Sequence, residues 1–182
     1  MAKCTTSSTS AAKARDRKQP VNLGRALVEA FLTNDRVNQT LIDLLDPKIW
    51  RASPPCSPRR NIATSFAHIH NVRCMRLKMS AKGTRVPERL DRGEVTVDEA
   101  RRALAESAAS MVELIERSVA AGGHVSEFRP DVVALVCAAI GHEAHHRGQI
   151  CHWARELGSP LTPEQQLRLW SWDKLWKEVV GA

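Results

Sequence analysis

The chain predicts an all-α fold, an up-down bundle of four long helices with an additional C-terminal helix. Three observations carry that reading. Apolar residues recur at threes and fours over four long stretches, and no window alternates apolar with polar as a half-buried strand does. The connections between those stretches are short to moderate and rich in proline, glycine and charge. A length of 182 residues fits one domain able to bury a core without disulfides. That domain is placed at 21–182, after a basic tail over 1–20 that lacks large apolar residues and is expected to be disordered.

The first helix covers Asn22 to Leu45, with Leu23, Leu27, Ala30, Phe31, Leu41 and Leu45 on its stripe. Asn34 and Asn38 interrupt that stripe, and both exposure and a polar bundle interior are open to them. Asp46-Pro47 ends the helix, and Pro54, Pro55 and Pro58 stiffen the connection that follows. The second helix runs from about Arg60 to Met79, with Ile62, Phe66, Ile69, Val72, Arg73 and Leu77 near its core side. After a charged, glycine-containing loop, Thr96 and Glu99 form a capping box that opens a third helix, which Gly122-Gly123 terminates. The fourth begins near Pro130, a favoured first-turn residue, and runs to Leu157 before Gly158 and Pro160. A second capping box, Thr162 with Gln165, starts one shorter helix carrying Leu167, Trp170, Trp172, Leu175 and Trp176. Three tryptophans so close together either cover the bundle end or make a homodimer contact.

Charge and cysteine usage narrow the function classes. Of the net charge of +7, more than half sits on the tail, where Lys3, Lys13, Arg15, Arg17 and Lys18 face only Asp16. No base-stacking aromatics or recognised binding motif accompany it, so nucleic acid is not the expected partner. The 5 cysteines are odd in number, scattered and free of Cys-x-x-Cys pairs, which reads as a reduced, cytoplasmic protein. No stretch approaches the roughly 20 apolar residues of a membrane span, and no signal-peptide core precedes the domain.

The chemistry concentrates in His142-Glu143-Ala144-His145-His146-Arg147-Gly148-Gln149, at the end of an apolar helical run. Each helical residue turns about 100°, so His142 and His146 project from one face, about 40° apart. That is the geometry of two metal ligands, and an ion needs at least a third. The second helix offers His68 and His70, about 200° apart, so they cannot both serve one site. Asn71 and Met75 lie near the stripe of His68, while Gln149 and Trp153 continue that of His142 and His146. All four are candidates to line the pocket or support the ligands. His145 and Arg147 diverge from that stripe and read as partners of the ligands or of neighbouring helices. The same residues spell the His-Glu-x-x-His of zinc peptidases. That reading is the weakest, because Gly148 falls one residue early for the turn, no methionine follows Met111, and no strand is available to hold a peptide. Glu143, about 100° from His142, is poorly aimed as a general base.

The segment Gly141 to Ile150, followed by Leu157-Gly158, resembles the last bundle helix of the DinB/YfiT-like superfamily, and Phe66 to Arg73 resembles its second helix. The histidine helix is the specific part of the resemblance. It implies a bundle holding one divalent metal ion on three side chains, which fall on His68, His142 and His146. Arg76 departs from the pattern, standing where many relatives carry tryptophan. Three imidazoles leave coordination positions open, as at catalytic sites, and zinc or nickel suits them better than iron or manganese. The function expected is a metal-dependent enzyme acting on a small-molecule substrate, a hydrolase activating water or a transferase using a low-molecular-weight thiol. The alternative is a non-catalytic metal-binding or stress-response interaction module.

Overall fold

The computed structural model describes residues 20–80 and 83–181. The tail therefore lies outside the described residues, apart from Pro20. Among the described residues six α-helices form: α1 (Leu23–Leu44), α2 (Ile62–Ser80), α3 (Val97–Ala120), α4 (Val132–Glu156), α5 (Pro163–Trp170) and α6 (Trp172–Val180), with a 3-10 turn over Pro47–Ile49. Among the described residues there is no strand, and no helix is long and apolar enough to cross a membrane.

Helix ends follow local chemistry. Asn22, Thr96, Asp131 and Thr162 each accept from a backbone N–H of the first turn, and both expected capping boxes close. Pro130 is not in the first turn of α4: Asp131 takes the cap through Ala134 N, which leaves the proline in the loop. The C-terminal segment is also two helices where one was expected. Ser171 breaks it with ψ 61°, and its hydroxyl donates to Leu167 O at 2.9 Å, a side-chain bond that competes with helix continuation.

Both α1 and α2 pack against α3 and α4, so the first two helices sit across the bundle from one another. The segment 45–61 makes that crossing. Trp50 fastens it by stacking on Phe66 at 5.4 Å between centroids and donating to Val95 O at 3.0 Å. α6 lies against α1.

The apolar core forms two clusters, one around Leu41, Phe66, Leu104 and Ile150, the other around Phe31, Leu77, Met111 and Leu135. Between them runs a buried polar layer with a member from every bundle helix: Asn34, Asp35 and Asn38 on α1, Arg73 on α2, Ser107 on α3 and Glu143 on α4. Arg73 donates to both oxygens of Glu143, at 2.7 and 2.8 Å, and to Asp35 at 2.7 Å. Asn34 and Asn38 donate to the same Glu143 oxygen at 2.6 and 2.7 Å, so these asparagines are interior residues. Burial opposes the charge on Glu143, but Arg73 and the two amides hold its pKa below the ordinary carboxylate value. Asp35 lacks that many donors, and burial pushes its pKa up despite Arg73. The layer satisfies the charges that interrupt the core, and it sets the rotation of α2 and α4 beside the histidines.

Candidate metal centre

His68 from α2 meets His142 and His146 from α4 where the two helices pack. The His142 Nε2 atom lies 3.3 Å from His68 Nε2 and 3.1 Å from His146 Nε2. All three nitrogens fall within 4.8 Å of one another. His146 packs edge to face on both other rings, its centroid 4.7 Å from that of His68 with the planes at 77°, while His68 and His142 are tilted at 55°. His146 is 9% exposed and the other two are half-buried.

Electrostatics keep these rings neutral. Burial first, then the neighbouring His146 and His142, lower the pKa of His68 to about 4. Burial is also the largest cause lowering His142 and His146. Arginine charge acts in the same direction, from Arg60 and Arg92 on His68, Arg60 on His146 and Arg76 on His142. The proton of each neutral ring must then occupy one nitrogen. For His146 it is on Nδ1, which donates to Gln149 Oε1 at 2.9 Å and leaves the Nε2 lone pair facing the other histidines. Gln149 in turn donates to His145 Nε2 at 3.0 Å, so His145 braces the residue that orients His146.

The donor set fits a divalent ion. Ligand bonds of about 2.0–2.1 Å at tetrahedral angles separate two nitrogens by about 3.3 Å. The two short edges of the triangle, at 3.1 and 3.3 Å, match that spacing. Three ring nitrogens converging this closely, one of them an acceptor because its ring's proton lies on His146 Nδ1, suit a shared ion.

The other candidates divide. Trp153 is buried in the core cluster with Ile150 and Ala154, at the base of the histidine face. Met75 is 43% exposed. Asn71 exchanges two hydrogen bonds with the Leu90 backbone, both at 2.9 Å, and so anchors the loop before α3. Arg147 reaches the polar layer instead, donating to Asn34 and Asn38 at 2.8 and 2.7 Å. His70 points away from the triad, its ring nitrogens each 2.8 Å from a backbone oxygen, of Ala103 and of Glu88. Glu143 is locked by Arg73, which removes the general base that a His-Glu-x-x-His peptidase needs. Of the arginines around the rings, the sequence singles out Arg76 alone, as a departure from the family pattern, and not Arg60 or Arg92. The three come from the segment before α2, from α2 and from the loop after it, and only the fold brings them together.

A model of the DinB family matches residues 18–173. No curated protein and no solved structure matches the chain. The family match spans most of the sequence and takes in all three histidines and the four bundle helices that carry or support them. The chain belongs to the DinB family.

Proposed function

We propose that this chain is a metal-dependent enzyme of the hydrolase or thiol S-transferase type, acting at His68, His142 and His146. One observation carries the reading: three imidazoles bring a nitrogen each within 4.8 Å of one another, on rings of which two are half-buried and one is buried. A divalent ion held there, zinc or nickel in preference to iron or manganese, would supply Lewis acidity toward a water or thiol at the positions the protein leaves open.

The chain's own residues do the rest. Gln149 fixes the proton of His146 on Nδ1, with His145 behind it. Arg60 and Arg92 put positive potential around His68, and Arg60 around His146, while at His142 the Glu143 carboxylate outweighs Arg76. Such a field attracts an anionic substrate and stabilises a thiolate over its thiol. Of the two reaction types it favours transfer of a low-molecular-weight thiol that carries carboxylates.

The test follows thioether formation between such a thiol and an aryl halide, using protein purified without a histidine tag. Chelation should abolish the enzymatic rate, and added zinc or nickel should restore it. Equal rates with and without chelator would remove metal catalysis from the account.

A further inference from the structure

We propose that the groove between α4 and the α5–α6 segment is a second ligand site, fitted to an amphipathic anion: a small molecule with an apolar or aromatic body and one carboxylate or sulfonate. The groove has a volume of about 720 Å³, within the range of small-molecule pockets. It is not the mouth of the histidine site. At about 100° per residue, Ala144, Gly148 and Cys151 project from the side of α4 opposite His142 and His146. One helix thus carries two unrelated faces.

The lining selects the ligand. Val37 and Leu161 are buried beneath it, and Trp170, 84% exposed, offers an aromatic face at its edge. Its fixed charges are Arg147 and Arg155, and no aspartate or glutamate lines it. Neither arginine is ion-paired among the described residues. Arg147 is half-buried and its hydrogen-bond partners there are two neutral amide oxygens, on Asn34 and Asn38. Through those amides Arg147 is tied to the Glu143 carboxylate, which with Asp35 offsets its charge; Arg155 is the exposed guanidinium at the groove, and apolar walls beside it strengthen its hold on an anion. A cationic amphiphile of the same shape keeps the apolar contacts but meets the arginine charge with repulsion. A second copy of this chain would have to bring an acidic group into the groove, whereas a carboxylate on an apolar chain answers both features at once.

Gly148 gives a direct way to fill the site, since a Cβ added there meets nothing within 4 Å. Binding of dodecanoate below its micellar concentration is measured by calorimetry and by tryptophan fluorescence, beside dodecyltrimethylammonium. The expected result is saturable binding of one dodecanoate per chain, with the cation at least about tenfold weaker. Gly148→Phe and Arg155→Glu should each weaken dodecanoate by about tenfold or more. Melting temperature and metal content of the variants should be unchanged. Equal binding of anion and cation, or wild-type affinity in Gly148→Phe, would overturn the proposal. So would a dimer in sedimentation that Gly148→Phe dissociates while dodecanoate fails to bind, because the groove would then belong to a second copy.

Discussion

Gln149 shows how much one side chain contributes to the histidine site. Its carbonyl oxygen accepts the His146 Nδ1 proton and its amide meets His145, so it selects the tautomer that can bind a metal through Nε2. Gln149→Leu should leave the fold intact and weaken metal binding by about 10–100-fold, the usual loss when a ligand's supporting partner is removed, as read by competition with a chromophoric chelator. The imidazoles also set a pH dependence. Their pKa values lie below the ordinary 6.5, that of His68 at about 4, so between those values the unfolded chain binds more protons than the folded one. Stability of the metal-free protein should therefore be complete above pH 6.5 and fall as pH drops toward about 4. Urea midpoints across that window check it, and His68→Ala should flatten the slope.

At the scale of the elements, the polar layer joins the helices, and Arg73 is its centre. Replacing it by methionine keeps the volume but leaves the Glu143 and Asp35 carboxylates buried without their cation. Arg73→Met should cost about 3–5 kcal/mol in urea unfolding. A cost below about 1 kcal/mol would mean that the layer is solvated in solution. The helices themselves were legible because their signals are local: both capping boxes, the Gly122-Gly123 stop and the apolar spacing of α1 and α3 depend on neighbours in sequence. The break at Ser171 was not legible, since a serine in a helical window back-bonds or continues according to the packing around it. The burial of Asn34 and Asn38 was likewise hidden, because the Glu143 and Arg147 that occupy their amides lie more than a hundred residues away.

The whole molecule brings one histidine of α2 against two of α4 and surrounds them with arginines from separate segments. Spacing alone puts His142 and His146 on one face; the resemblance at Phe66 to Arg73 points to His68 over His70, and the packing of α2 on α4 places it at hydrogen-bonding distance from His142. No reading of single helices could have found the groove on the far side of α4, which exists only because α5 and α6 fold back past it. The central claim, that the three imidazoles hold a divalent ion, has one direct test. Protein purified without a histidine tag is analysed for bound metal, as wild type and as His68→Ala, His142→Ala and His146→Ala. Close to one divalent ion per chain is expected in the wild type and near zero in each variant; stoichiometry near zero in the wild type, or an ion that survives the loss of His146, would overturn the site.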